Sequence, residues 1–158
     1  MNKIFVGILL ITTSCLSFSE SISLSGPRVG VTVMSSKMED FYSSQDVKIE
    51  PIMTHFGWQF ENKFLTNESG PEGVSVLVPL VGGFEQNLIV PSLTWLIGLR
   101  LQNGYEFGVG PNLTIGSTGV ALTAGYTSEF GELYIPINLG IVLTTEGIRI
   151  SFLFGFNS

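Results

Sequence analysis

Apolar residues alternate with small or polar ones along most of this chain, in stretches of about ten residues, the length a tilted strand needs to cross a membrane. Successive side chains of a strand point to opposite faces, so the rhythm predicts strands with one greasy and one small or polar face. The C-terminal segment is the clearest case. Ile148, Ile150, Phe152, Phe154 and Phe156 share one side, Arg149, Ser151, Gly155 and Asn157 the other, and only Leu153 breaks the rule.

Seven further segments follow the same pattern. From Pro27, Val29, Val31 and Val33 oppose Arg28, Gly30, Thr32 and Met34. Ile52, Phe56, Trp58, Phe60 and Phe64 oppose His55, Gly57, Gln59, Glu61 and Lys63. In the stretch from Gly73 to Val81, Val74, Val76, Val78 and Leu80 form the apolar side. Leu93, Trp95, Ile97, Leu99 and Leu101 stand against Ser92, Thr94, Gly98, Arg100 and Gln102. Tyr105, Phe107, Val109, Leu113 and Ile115 stand against Glu106, Gly108, Gly110, Asn112 and Thr114. Val120, Leu122, Ala124 and Tyr126 oppose Ala121, Thr123, Gly125 and Thr127, and Leu133, Ile135, Ile137, Leu139, Ile141 and Leu143 oppose Tyr134, Pro136, Asn138 and Gly140. The count is eight strands.

Most connections are short and carry hairpin residues: Asn103-Gly104, Gly116-Ser117-Thr118, Ser128 to Glu132, and Thr145-Glu146-Gly147. All sequential neighbours can therefore be antiparallel. The long connection, Ser35 to Glu50, collects Lys37, Glu39, Asp40, Asp46, Lys48 and Glu50 and is expected to be a solvated, mobile loop. No segment carries convincing helix caps. Pro79, Pro91, Pro111 and Pro136 fall within strands, where proline removes a ladder donor, so bulges or bends are expected there.

Alternation alone does not say which face is inside. A soluble lipocalin-like barrel buries the apolar face, and a membrane barrel turns it outward. The polar faces carry as full charges only Arg28, Glu61, Lys63, Arg100, Glu106 and Arg149, and otherwise Gly, Ser, Thr, Asn and Gln. A soluble surface would carry many more Lys and Glu, whereas small residues suit the cramped interior of an eight-stranded barrel. With 13% charged residues and a mean hydropathy of +0.42, the chain is greasy. After the first residues no apolar run is long enough for a membrane helix. A pI near 4.6 argues against nucleic acid as a partner. Trp58, Phe64, Tyr105, Tyr126 and Phe156 fall on the apolar face near expected membrane boundaries, as aromatic girdles do.

Arg149, Ser151, Phe154 and Phe156 give the last strand a polar residue, a small residue and two aromatics in the order that closes many bacterial outer-membrane barrels. In this the chain resembles the small eight-stranded outer-membrane β-barrel proteins, with Ser151 where Gly is usual and Asn157-Ser158 beyond the final aromatic. The resemblance implies an all-β, up-and-down transmembrane barrel with apolar face outward and polar lumen, located in the outer membrane. It also implies outer-membrane lipids and the barrel assembly machinery as partners. It names an architecture rather than an activity.

The N-terminus reads as a secretory signal. Lys3 precedes an apolar run from Ile4 to Ile11, and Ser17 and Ser19 flank a cut before Glu20, giving a signal over residues 1–19 and one barrel domain over 20–158. A lipoprotein cut at Cys15 is the competing reading, weakened by Thr12 three residues earlier. With the first cut the only cysteine leaves, and thiol chemistry with it.

Functional chemistry is sparse. An even strand count puts both termini in the periplasm and the acidic loop 35–50 outside, so the leading expectation is a structural or surface-interaction protein with a surface ligand of that loop. A pore is not expected, since eight strands leave no wide lumen. The second hypothesis is a lipid-modifying enzyme of the membrane surface, and the third a periplasmic soluble carrier of a greasy ligand. An enzyme would draw on His55, the single histidine, with Glu61, Ser92 and Glu106, but no spacing brings these together. No catalytic, metal or cofactor residues are assigned: a lone His with scattered carboxylates is a poor metal site, and Gly108-Val-Gly110-Pro lacks the third glycine and the helix of a dinucleotide loop. The parity of Arg28, Glu61, Arg100, Glu106 and Arg149 predicts one shared charge network in the lumen, because unpaired charges in a narrow interior are costly. Lys63 is expected at the rim.

Overall fold

The computed structural model describes residues 23–46, 48–66 and 69–157. The expected signal and its cut before Glu20 lie outside these residues. The described residues form eight strands in chain order: β1 (Ser23–Met34), β2 (Ile52–Leu65), β3 (Glu72–Gly82), β4 (Val90–Arg100), β5 (Tyr105–Thr114), β6 (Ser117–Phe130), β7 (Leu133–Thr144) and β8 (Ile148–Gly155). Each pairs antiparallel with its sequence neighbour, and β1 also pairs β8, from Arg28 opposite Gly155 to Met34 opposite Arg149. The result is a closed up-and-down barrel, which leaves no free sheet edge.

Inside and outside follow the parity of the sequence. Phe56, Trp58, Phe60, Trp95, Ile97, Phe107, Leu139, Phe152 and Phe154 are exposed on the outer wall, while Arg28, Thr32, His55, Gln59, Glu61, Arg100, Glu106, Asn112 and Arg149 are buried inside. An outer wall of this kind suits lipid rather than water. Phe64, Tyr105, Tyr126 and Phe156 stand toward the end of the barrel that carries the chain termini, and Tyr105 faces Tyr126 across strands with ring centroids 5.2 Å apart. Trp58 instead lies mid-strand in β2.

Strand β3 is the exception, and it corrects the expectation for that segment. Val74, Val76, Val78 and Leu80 point into the lumen, and Leu77 is exposed outside. The sequence Val-Ser-Val-Leu-Val-Pro-Leu-Val is greasy at both parities, so its own pattern cannot choose a face; its neighbours choose for it. Val76 is paired with Glu61 on one side and Leu96 on the other, both inward. On the outer face the Trp95 indole N–H donates to Ser75 Oγ at 3.0 Å, which satisfies the one polar residue sent out.

The prolines produce no change of register. Pairing lapses at Trp58–Gln59 opposite Val78–Pro79, and at Trp95–Leu96 opposite Gly110–Pro111, then resumes in phase. The missing ladder donor costs local pairing only. Among the described residues the one register shift lies between Lys63 and Leu65. At the turns Gly104 adopts φ +88°, a left-handed conformation that a side chain would strain.

The connection after β1 is the second correction. Residues Ser36–Ser43 form a helix, α1, that lies over the mouth of the barrel opposite the termini. Its apolar face is Met38 and Tyr42, with Met38 fully buried, and these pack with Met34, Ile49 and Met53, flanked by Phe41, Leu88 and Val90. The charges that suggested a solvated loop occupy the outer side: Lys37, Asp40, Asp46, Lys48 and Glu50 are exposed. Hydrogen bonds fasten the cap. Tyr42 Oη donates to the Ile115 carbonyl at 3.2 Å, Lys37 Nζ to the Thr145 carbonyl at 3.1 Å, and the Ile148 N–H donates to Ser35 Oγ at 3.0 Å. Nearby, a short 3-10 turn at Phe84–Gln86 is stapled to the start of β2. Thr54 donates from N–H and Oγ1 to the Glu85 carboxylate, and Gln86 Nε2 donates to the Ile52 carbonyl.

Candidate functional site

The lumen is divided into zones along its axis. At the end near the chain termini, Arg100 lies between two carboxylates, Nη1 and Nη2 reaching Glu61 at 2.5 and 2.7 Å, and Nε and Nη2 reaching Glu106 Oε2 at 3.1 and 2.7 Å. Asn138 Nδ2 and Thr127 Oγ1 also donate to Glu106. Arg28 joins through an amide: its Nε donates to Gln59 Oε1 at 3.0 Å, and Gln59 Nε2 donates to Glu61 Oε2 at 3.3 Å. The other face of Arg28 donates through Nη2 to Asn157 Oδ1 at 2.7 Å and through Nη1 to the Pro27 carbonyl at 2.9 Å. Arg28 and Glu61 are each only 1% exposed. Two arginines and two glutamates leave this zone formally neutral, the condition under which buried ions are tolerable.

The middle of the lumen is aliphatic. Val74, Val76, Val78, Leu80, Leu96, Ala121 and Val142 form one buried cluster, with Leu153 packed against it. Leu153, the apparent fault in the alternation of β8, is therefore part of an inner apolar band that β3 also supplies.

Toward the capped mouth the lumen is polar again. Arg149 Nη1 donates to Thr114 Oγ1 at 2.7 Å and Nη2 to Asn112 Oδ1 at 2.8 Å. Asn112 Nδ2 in turn donates to Ser92 Oγ and Thr94 Oγ1 at 3.1 and 2.7 Å, and the Thr32 and Ser151 hydroxyls share a hydrogen bond at 2.7 Å. His55 lies in this zone with neither ring nitrogen hydrogen-bonded among the described residues. Between this collar and the aliphatic band is a cavity of about 80 Å³, lined by Met34, Tyr42 and Met53 from the cap side and by Leu80, Leu96 and Leu153 below.

Of the five charges expected to share one network, the structure brings together Arg28, Glu61, Arg100 and Glu106. It separates Arg149, which lies across the aliphatic band and whose hydrogen-bond partners among the described residues are the neutral Thr114 and Asn112. The parity of these residues shows that they face the lumen but not at which height, and height decides which of them meet. Lys63 pairs with Glu72 at 2.8 Å, both partly exposed at the open end near Arg100. Two contributors escape the sequence reading. Asn157, fully buried, follows the last aromatic because it tucks under the barrel, pairs with Tyr134 and serves Arg28. Gln59 was one polar residue among many; no sequence signal marks it as the bridge between Arg28 and Glu61.

The residues an enzyme would need are not assembled: His55 and Ser92 line one cavity without a hydrogen bond between them among the described residues, and Glu61 and Glu106 lie in the other charged zone. Glu61 and Glu106 are engaged by Arg100, Ser92 Oγ accepts from Asn112, and His55 contacts no carboxylate or hydroxyl by hydrogen bond among the described residues. The described residues contain no group of three His, Cys, Asp or Glu arranged to hold a metal ion.

No protein-family model and no curated protein matches this sequence. Among solved structures the chain is similar to Ail, the attachment invasion locus protein of Yersinia pestis, with a TM-score of 0.53 and 12% identity over 85% of this chain and 97% of that one. At that identity the likeness is one of fold. The chain has the closed eight-stranded architecture of the small outer-membrane barrels.

Proposed function

We propose that this is an outer-membrane protein of structural and surface-interaction type, without enzymatic activity, inserted with α1 at the cell surface and the chain termini in the periplasm. The observation that carries the reading is the outer wall: a closed barrel ringed by Phe56, Phe60, Trp95, Ile97, Phe107 and Phe152 is stable only with lipid around it. Filled zones within the lumen support an anchor rather than a wide pore. The outer face of α1 and the segment to Glu50 offer Asp40, Asp46 and Glu50, with Lys37 and Lys48, to a partner outside. The likeness to a protein named for attachment and invasion favours surface interaction over a purely mechanical role.

Sidedness is tested by single cysteines and a membrane-impermeant maleimide, with the unaltered protein as blank for Cys15. Asp46→Cys should label on intact cells that retain the protein in the outer-membrane fraction, and Asn103→Cys, in the turn after β4, only after permeabilisation. Release of the protein by a carbonate wash, or the reverse labelling, would sink the proposal.

A further inference from the structure

The described residues hold three methionines, and all three meet under α1: Met34, Met38 and Met53 are three of the five buried side chains of the cap cluster. The fourth methionine of the chain is Met1 and the single cysteine is Cys15, both outside the described residues. The sulfur of the described chain is thus concentrated between one short helix and the mouth of the barrel. The aliphatic band deeper in the lumen is built of Val, Leu and Ala instead. A swap between methionine and leucine usually costs a core little, so packing alone does not call for thioethers at the cap.

Met38 is the thioether that α1 itself contributes. It is fully buried, and the turn before β8 presses on it: a side chain at Gly147 would come within 3.1 Å of Met38 Cβ and of its backbone nitrogen. The helix has no side-chain cap at Ser35 and no basic residue in its last turn, so burial and the hydrogen bonds of Lys37 and Tyr42 are what keep it closed. The cluster has no donor to spare. Its one hydroxyl, Tyr42 Oη, already donates to the Ile115 carbonyl, and the methionine and isoleucine side chains have none.

We propose that Met38 is a reversible oxidation site, and that sulfoxide formation there releases α1 from the mouth of the barrel. With hydrogen peroxide as oxidant, the O–O bond breaks and one oxygen passes to Met38 Sδ to form S=O. The proton on that oxygen goes to the departing hydroxide, which leaves as water, and the two electrons given up by sulfur reduce the peroxide. The sulfoxide is an acceptor shut in an apolar cluster without a donor, and it regains solvation only when α1 lifts. Transient opening of a short, weakly held helix gives the oxidant access, and the added oxygen then opposes reclosure. The strands take no part, so the barrel stays intact. The inference goes beyond the surface role and holds whichever end of the barrel faces outward.

The protein in lipid nanodiscs is treated with hydrogen peroxide, the added oxygen is located by peptide mass spectrometry, and amide exchange across α1 is followed. Sulfoxide at Met38 should lower α1 protection by roughly tenfold or more, the scale of burying an acceptor without a donor, with the strands unchanged. Methionine sulfoxide reductases for both epimers should restore it. Met38→Leu should keep the protection and lose the response, whereas the double variant Met34→Leu with Met53→Leu should keep both. Should Met38→Leu fail to fold, the unaltered protein and the double variant decide. Unchanged α1 protection in protein that carries Met38 sulfoxide would overturn the proposal. So would a Met38 that stays unoxidised in peroxide that converts it in the urea-unfolded chain, a full response in Met38→Leu, or its loss in the double variant.

Discussion

Taking a guanidinium or a carboxylate out of water costs several kcal/mol per ion, and attraction between partners repays it only when geometry and hydrogen bonding are nearly complete. Glu61 meets that condition through both oxygens, receiving Arg100 twice and Gln59 once. Glu61→Gln should therefore lower the stability of the reconstituted barrel by about 3–5 kcal/mol, since Arg100 and Arg28 would be left with one carboxylate between them; urea unfolding from lipid vesicles reads this. Arg149→Gln breaks no ion pair and should cost distinctly less in the same measurement. Equal losses would mean that the two zones are not electrostatically different. At this scale the sequence shows that the five charges share the inward parity of small residues, but not their partners, because contacts such as Arg28 to Asn157 join positions at opposite ends of the chain.

Helix α1 and strand β3 carry the element-scale lessons. The helix is short and has no side-chain cap at Ser35, so its stability comes from burying Met38 and Tyr42 against the mouth rather than from its own sequence. Met38→Ala should cost about 2–5 kcal/mol if the cap is as tightly packed as a core, read as faster amide exchange across α1 with the strands still protected. Burial also holds the Tyr42 phenol above the ordinary tyrosine value, Arg149 opposing this and Glu146 adding to it. A raised folded-state value means that the unfolded state loses its proton first. The cap is thus at full strength below the ordinary tyrosine value of about 10 and weakens as pH rises through it. Protection of the α1 amides, taken relative to the intrinsic base-catalysed exchange rate, should fall over that range, and Tyr42→Phe should remove the fall; constant protection in the unaltered protein would show that the phenol is not buried on closure. For β3, Leu77→Cys should react with a membrane-partitioned thiol reagent and Val78→Cys should be protected from it. The opposite result would restore the orientation that the isolated segment suggests.

For the whole molecule, everything depends on the apolar faces pointing outward. Ile137→Cys on β7 should label from the lipid phase, and Gly108→Cys, whose side chain would enter the filled lumen beside Thr123, should resist a bulky water-soluble reagent. Fast aqueous labelling at 108 with protection at 137 would describe a soluble barrel and remove the basis for an outer-membrane role. Closure itself is a long-range event, β1 meeting β8 across nearly the full described chain. Asn157, at the seam, contributes one buried hydrogen bond to Arg28 and a bridge to Tyr134.

Strand number, antiparallel order and the inward side of seven strands were determined by the sequence alone, because a period of two in hydrophobicity is a local property that one strand displays without its neighbours. Where both parities are greasy, as in β3, the local signal cancels, and only pairing with Glu61 and Leu96 chose the face. The same applies to the charges on the 35–50 segment: they mark an exposed surface, yet the helix beneath them exists because Met34, Ile49 and Met53 offer Met38 and Tyr42 a place to be buried. Strand tilt and stagger set the height at which each inward residue sits. That assembled geometry left Arg28, Glu61, Arg100 and Glu106 in one network and Arg149 facing an aliphatic cavity with His55, a separation that no single segment of the chain encodes.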